Sequence, residues 1–342
     1  MSEASSAYAA PEILQERLAA IAHRFVPGAT GVPRLVRLSG GASQETWSFS
    51  VAGPGGESKW ILRRMPPGRE ESSTLACGLG TEAVLLKLAA AQGVPVPAVG
   101  HVLVPADAVG IGFIMAHVEG ETLGRKILRE ERFAPAREQL AFQCGQCLAR
   151  IHAIPVQGLP PLRRAPAAGE VAAYVDRYRA NGFPKPVFEL AFRWLQDNLP
   201  AGSGEMTVVH GDFRHGNLMI GEDGLRAALD WELAHLGDPM EDLGWLCVTT
   251  WRYGNIHLPV GGFGTREQLF AGYESAGGRK VDRDAVRFWE LLGTLKWGVM
   301  CDGMAATFKS GAEFTVERAA IGRRASETDI DLLRLMAPRH GA

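Results

Sequence analysis

Two short apolar runs separated by a glycine-bounded turn constrain what the middle of this chain can become. Within residues 208–232, Leu218-Met219-Ile220 and Ala227-Ala228-Leu229 flank Gly221-Glu222-Asp223-Gly224. Apolar runs joined by Gly/Asp turn chemistry read as a β-hairpin. A hairpin brings its ends together, and here the ends are polar: Asn217 opens the first run, Asp230 closes the second, and Asp212 lies in the loop after Val208-Val209. Phosphoryl transfer calls for such a set, because it needs metal to neutralise the phosphates and a carboxylate to orient the attacking hydroxyl. Oxygen ligands suit magnesium. Asp212 is therefore the candidate base, and Asn217 and Asp230 are the candidate magnesium ligands.

The residues before this stretch divide into a β-rich part and a helical part. An amphipathic helix is expected over residues 11–25, where Ile13, Leu14, Leu18, Ile21 and Phe25 recur at helical spacing. Strands are expected over residues 34–38, 46–51 (with Trp47, Phe49 and Val51 alternating), 60–65, 94–104 and 111–116. A helix over residues 81–92 carries Glu82 in its first turn. Residues 1–116 thus read as an antiparallel sheet plus a helix, and residues 117–120 as the crossing to a second, mostly helical unit over 121–342, with its catalytic segment at 208–247. In that unit helices are expected over 138–154, 170–180, 186–198 and 265–276, the last with Thr265 and Gln268 at capping-box spacing, and Asp282 caps a long helix toward Phe308. The fold class is α+β.

Composition removes several kinds of partner. A net charge of -2 gives no basic footprint for nucleic acid. No run of about 18 apolar residues marks a membrane span, and the first ten residues lack the pattern of a signal peptide. The five cysteines are scattered without a disulfide framework, so a cytoplasmic setting is expected. Cys144-Gly145-Gln146-Cys147 has redox-motif spacing but lies in a helical pattern, where core packing is the better reading. His210, Asp212 and His215 lack the further histidines that a zinc hydrolase would need. Oligomeric state is not legible.

His210-Gly211-Asp212 with Asn217 five residues after Asp212, followed by Asp230-Trp231-Glu232, resembles the aminoglycoside phosphotransferase and choline kinase group, small-molecule relatives of protein kinases. Ser39-Gly40-Gly41-Ala42-Ser43, Glu45-Thr46-Trp47-Ser48-Phe49, Ile61-Leu62-Arg63-Arg64 and Pro66-Pro67-Gly68 are similar to the branch related to kinase-like domains fused to acyl-CoA dehydrogenases. The resemblance covers roughly residues 35–247 and implies a two-lobed, protein-kinase-like fold. It makes Asp212 the catalytic aspartate, Asn217 and Asp230 the magnesium ligands, and Ser39, Gly40, Gly41, Ala42 and Ser43 the nucleotide-covering turn. Glu82 becomes the helix glutamate, and Arg63 stands where the family has lysine. Met115 and His117 fall at the lobe junction that holds ATP or GTP. Asp238 and Asp242 match residues that brace the catalytic segment, although Asp242 also reads as a cap for the next helix. Trp245, Trp251, Tyr253, Trp289 and Trp297, with Asp302 and Glu313, fall in the acceptor region. The implied activity is a magnesium-dependent phosphotransferase acting on a hydroxyl of a small molecule, possible acceptors including a hydroxyacyl thioester; the alternative is a nucleotide-binding pseudokinase.

Overall fold

The computed structural model describes residues 11–40, 44–67, 75–201 and 205–337. The chain forms two compact units, one of Met1–Gly120 with Gly158–Leu162 and Arg226–Ala234, the other of Glu121–Gln157, Arg163–Leu225 and His235–Ala342.

The first unit opens with helix α1 (Pro11–Ile21), then strands β1 (Gly31–Gly40), β2 (Glu45–Gly53) and β3 (Gly56–Met65), helix α2 (Leu79–Ala91), and strands β4 (Val99–Val102) and β5 (Ile111–Ala116). The strands form one antiparallel sheet in the order β1-β2-β3-β5-β4. The period-two pattern of β2 turns Trp47, Phe49 and Val51 to the core, where α1 adds Leu14, Leu18 and Ile21 from one helical face. Burying each such side chain contributes roughly 1.5–3 kcal/mol. Two expectations need correction. The helix of residues 11–25 ends at Ile21 and finishes as a 3-10 turn over Ala22–Arg24. The strand of residues 94–104 shrinks to Val99–Val102, because Pro95 and Pro97 have no N–H to give a ladder.

The second unit contains α3 (Gly124–Arg129), α4 (Ala134–His152), β6 (Arg164–Ala165), α5 (Ala167–Asn181), α6 (Pro186–Asp197), β7 (Thr207–Val209) and β8 (Leu218–Gly221). The strand after it, β9 (Gly224–Ala228), pairs with β8 as the expected hairpin and carries the chain into the first unit. Back in the second unit come β10 (His235–Gly237), α7 (Met240–Cys247), α8 (Arg266–Ser275), α9 (Arg283–Lys309), α10 (Val316–Gly322) and α11 (Ala325–Met336). β10 lies between β6 and β7 in a small sheet. The expected caps form: Thr265 and Gln268 close a capping box on α8, and the Asp282 carboxylate accepts from Asp284 N and Ala285 N at the start of α9. Each contributes about 1 kcal/mol.

Cys144 and Cys147 are buried in α4, and burial raises both thiols above their ordinary range. The glycine between them explains the motif. A Cβ at Gly145 would lie 2.1 Å from the Leu269 carbonyl of α8, and one at Gly272 of α8 would lie 2.0 Å from the Phe142 carbonyl of α4. Two helices that approach this closely exclude side chains at both positions, so the stretch serves packing. Among the described residues no helix is long and apolar enough to cross a membrane.

Candidate functional site

The side chains singled out by sequence fall into two groups, one in each unit.

In the second unit, β7 ends at Val209 and the chain turns through His210 and Gly211 into Asp212. Gly211 takes φ +80°, a left-handed conformation that glycine adopts without steric cost. The turn is held from behind by Asp242. Its carboxylate accepts from the backbone N–H of His210 at 2.8 Å and of Gly211 at 2.9 Å, and from His152 Nε2 at 3.1 Å. Tyr273 hydroxyl meets the other ring nitrogen of His152 at 3.0 Å. Burial alone would raise the Asp242 carboxyl, but the hydrogen bond and charge of His152, helped by His210, outweigh it and hold the group below the usual carboxylate range. Asp242 is therefore a brace, not a helix cap. It lies inside α7, and the N–H of Met240 at the start of that helix donates to Asp238 instead.

The Asp212 carboxylate receives four hydrogen bonds. Arg214 donates from Nε to Oδ1 at 2.9 Å and from Nη2 to Oδ2 at 3.0 Å, Trp245 Nε1 donates to Oδ1 at 2.9 Å, and Asn217 Nδ2 donates to Oδ2 at 2.6 Å. Asn217 thus spends its amide nitrogen on Asp212, which leaves its amide oxygen as the group suited to a cation. Arg214 is fixed further by the Trp251 ring, 4.6 Å from its guanidinium, and Trp251 packs between Trp245 and Trp297. His215 is buried, and Nε2 donates to the Gly261 carbonyl at 2.7 Å. Burial pushes its pKa down to about 4, with Arg214 adding to the fall against the pull of the Gly261 hydrogen bond. His210 Nδ1 accepts the Asp212 N–H at 3.3 Å. Among the described residues no group of three or more His, Cys, Asp or Glu is arranged to hold a metal ion.

In the first unit, Arg63 on β3 is shared among acidic groups. Its Nη1 donates to Glu82 Oε1 at 2.7 Å and to Asp230 Oδ1 at 2.9 Å, while Nη2 lies 3.4 Å from Gln44 Oε1 and 3.8 Å from Glu232 Oε2. These are not surface ion pairs, since the Arg63 side chain is 13% exposed and that of Glu82 2%. Burial disfavours the Arg63 charge, but Glu82 and Asp230 more than offset this and raise its pKa. Glu82 carries the cost of sharing one cation: burial pushes it up to about 7 against the pull of Arg63, and Asp230 adds to the rise. Asp230 sits in the left-handed region at φ 62°, which aspartate tolerates better than most residues. The next N–H, that of Trp231, donates to Glu82 Oε1 at 3.2 Å. Three carboxylates around one guanidinium leave an excess of negative charge, and Glu82 Oε2 is buried with no hydrogen-bond partner. The three carboxylates do not form a metal-binding group by themselves; Asp230, whose side chain is 34% exposed, offers a carboxylate oxygen of the kind that suits a hard divalent cation such as magnesium.

Of the remaining predicted residues, Ser39 and Gly40 end β1, paired with Thr46 and Glu45, while Gly41, Ala42 and Ser43 lie outside the described residues. Met115 pairs with Ile61 and Val99 in β5, and the His117 N–H donates to the Lys59 carbonyl. Asp302 pairs with Lys185 and Glu313 with Arg318, so neither carboxylate lacks a cation of its own. Trp289 Nε1 donates to Asp238 Oδ2, a structural contact. Sequence reasoning missed Arg214. Its only signal was a basic residue two positions after the candidate base.

The family model described as the phosphotransferase enzyme family matches residues 34–289. Acyl-CoA dehydrogenase family member 10 of Mus musculus is 29% identical over 236 residues, which is 64% of this chain but 20% of that protein. The chain therefore spans about a fifth of this curated relative. A Ralstonia eutropha structure provisionally classed as an aminoglycoside phosphotransferase superposes with a TM-score of 0.73 at 20% identity, covering 94% of this chain and 97% of that one. A thermostable mutant of aminoglycoside phosphotransferase APH(4)-Ia, in ternary complex with AMP-PNP and hygromycin B, superposes with a TM-score of 0.59 at 17% identity, covering 90% and 95%. At these identities the structural likeness establishes the fold.

Proposed function

We propose, from the premise that this chain belongs to the phosphotransferase enzyme family, that it transfers the terminal phosphoryl group of ATP or GTP to a hydroxyl of a small molecule. The observation that carries the reading is the Asp212 carboxylate, held by Asn217, Arg214 and Trp245 on a turn braced by Asp242. A carboxylate so positioned can orient a hydroxyl and take its proton as the oxygen bonds to phosphorus and the bond from phosphorus to the nucleoside diphosphate breaks. Four hydrogen bonds already fill the two oxygens of Asp212, so an acceptor hydroxyl must displace one of them, and Arg214, which spans both oxygens, is a candidate for the exchange. An arginine released from a carboxylate in this way is suited to a phosphoryl oxygen.

Magnesium, when bound by Asn217 and Asp230, supplies neutralisation of the phosphate charge. Arg63 contacts the nucleotide phosphates and Glu82 positions Arg63. The turn of Ser39, Gly40, Gly41, Ala42 and Ser43 covers the nucleotide, whose base lies against Met115 and His117. The acceptor is a hydroxyl compound, and the acyl-CoA dehydrogenase relative makes a hydroxyacyl thioester the first class to test. AMP-PNP and hygromycin B in the APH(4)-Ia complex support a nucleotide and a hydroxyl-bearing acceptor as the reacting pair.

ADP release from ATP and magnesium across a library of hydroxyl compounds tests the reading, and Asp212→Ala must abolish it. A second reading, a nucleotide-binding pseudokinase, is motivated by arginine in place of lysine at position 63. Nucleotide-dependent thermal stabilisation without turnover across the library would select it, and no nucleotide binding would sink both.

A further inference from the structure

A cleft of about 450 Å³ opens among residues of the N-terminal turns of α8 and α9 and the C-terminal end of α11. A second, of about 290 Å³, shares Arg266, Glu290, Arg334 and Leu335 with it. None of these residues belongs to the phosphoryl-transfer groups described above. The first cleft sets four arginines, Arg266, Arg283, Arg287 and Arg334, against two carboxylates, Glu267 and Glu290.

The arginines are not equivalent. Glu290 is 2% exposed and accepts from Arg252 Nη2 at 2.9 Å and from Arg266 Nη2 at 2.7 Å, so one carboxylate orders two guanidinium groups and balances the charge of one. Arg287 donates to the Leu335 and Ala337 carbonyls and secures the end of α11. Arg334 lies 3.8 Å from Asp331, beyond hydrogen-bond reach, and Arg283 lies 3.3 Å from Glu267 with both of those side chains mostly exposed. Surface pairs of this kind hold their arginines weakly. The positive ends of the α8 and α9 dipoles add to the charge excess. Phe270, Val286 and Leu335 supply apolar wall, with the Arg283 guanidinium 5.2 Å from the Phe270 ring.

We propose that this cleft binds a dianionic organic phosphate, gripped by Arg283 and Arg334 beside the ordered Arg266, with its apolar part against Phe270 and Leu335. A phosphate monoester carries about -1.5 to -2 charge near neutrality, which matches the excess where a monoanionic carboxylate does not, and its oxygens accept the guanidinium fork bidentately. The site is independent of the reaction proposed above.

The probe is phenyl phosphate, titrated calorimetrically into the full chain, with inorganic phosphate and phenol as its separate halves. Saturable one-to-one binding is expected, weaker with inorganic phosphate and absent with phenol. Arg334→Glu and Arg283→Glu each raise Kd by about tenfold or more, since each removes a charge-assisted contact, while Arg334→Lys retains part of the affinity. Both arginines are exposed, and far-UV circular dichroism checks that the variants remain folded. Arg63→Gln and Arg214→Ala leave the binding unchanged. Affinity lost in either of those two and kept in Arg334→Glu would overturn the proposal by moving the phosphate to the phosphoryl-transfer residues. Equal binding by wild type and both charge reversals, or no saturable binding, would overturn it too. The readout is binding and not turnover, so its failure leaves the phosphotransferase reading standing.

Discussion

Asp242→Asn isolates the brace behind the candidate base. The wild-type carboxylate is fully buried and accepts from Gly211 N–H on Oδ1 and from His210 N–H and His152 on Oδ2. Asparagine keeps the shape but turns one acceptor into a donor. Placed at the Oδ2 position, the new NH2 would face two donors, so the variant settles with it at the Oδ1 position, facing Gly211 N–H alone. A hydrogen bond to a charged group contributes about 1.5–3 kcal/mol and a stranded buried donor costs about 1–3 kcal/mol. One lost charged acceptor, with two others weakened to neutral ones, therefore costs about 3 kcal/mol, read as a lower urea midpoint at unchanged m-value. Asp212 directly follows Gly211, and a displacement of about 1 Å at a reacting group costs about a hundredfold in rate. Asp242→Asn is thus expected to lose stability and activity together, although Asp242 is placed behind the reacting carboxylate and not at it. A wild-type midpoint in Asp242→Asn refutes the hydrogen-bond reasoning, and a lowered midpoint with full activity refutes the link from the brace to Asp212.

Asp212→Ala is expected to lower kcat by about 10²–10⁴-fold while calorimetry finds nucleotide affinity unchanged, because Arg63, Glu82 and Asp230 are untouched. Arg63→Lys keeps one ammonium to serve both Glu82 and Asp230 and retains nucleotide binding. Arg63→Met leaves those two carboxylates without their cation, and its nucleotide Kd rises by about tenfold or more in the same titration. Glu241 tests acid stability in the second unit, paired there with Lys296 at 3.2 Å and His235 at 3.1 Å. Burial raises its carboxyl, but Lys296 and then His235 carry it down to about 2 from an ordinary 4.5. A depressed carboxyl stabilises the fold above its unfolded pKa and loses that contribution as pH falls through 4.5 toward 2, a loss of about 3 kcal/mol. Glu241→Gln should flatten the pH dependence of the urea midpoint in that window, and an unchanged slope contradicts the assignment.

The parts of the fold that were readable in advance are those fixed by local chemistry. The alternation of Trp47, Phe49 and Val51, the Gly221 to Gly224 turn, and the caps at Thr265 and Asp282 each act within a few residues. The strand expected over 94–104 failed for an equally local reason, the two prolines, which outweigh its apolar content. The candidate site was readable as residue types but not as contacts. Arg63 and Glu82 are 19 residues apart and Arg63 and Asp230 are 167 apart, and only the fold reveals that one guanidinium nitrogen serves both carboxylates. Asp242 is expected as a brace from the resemblance and as a helix cap from its position, and only the fold shows its carboxylate shared among His210, Gly211 and His152, the last 90 residues earlier. Arg214 escaped notice although its contact is local, because a basic residue beside an aspartate is common and spacing alone does not distinguish a clamp from a solvated charge.

The stretch Arg226–Ala234 folds with the first unit although the residues on either side of it fold with the second. Asp230 is thus delivered to Arg63 and Glu82 by a strap that lies more than a hundred residues beyond the rest of the first unit's sheet and helices. A fragment ending at Gly120 would contain Arg63 and Glu82 but lack their shared acid, and a fragment starting at Glu121 would carry that acid with no arginine to receive it. The two units are consequently not detachable modules: domain shuffling that cut the chain between them would discard the carboxylate cluster even where each fragment kept most of its secondary structure.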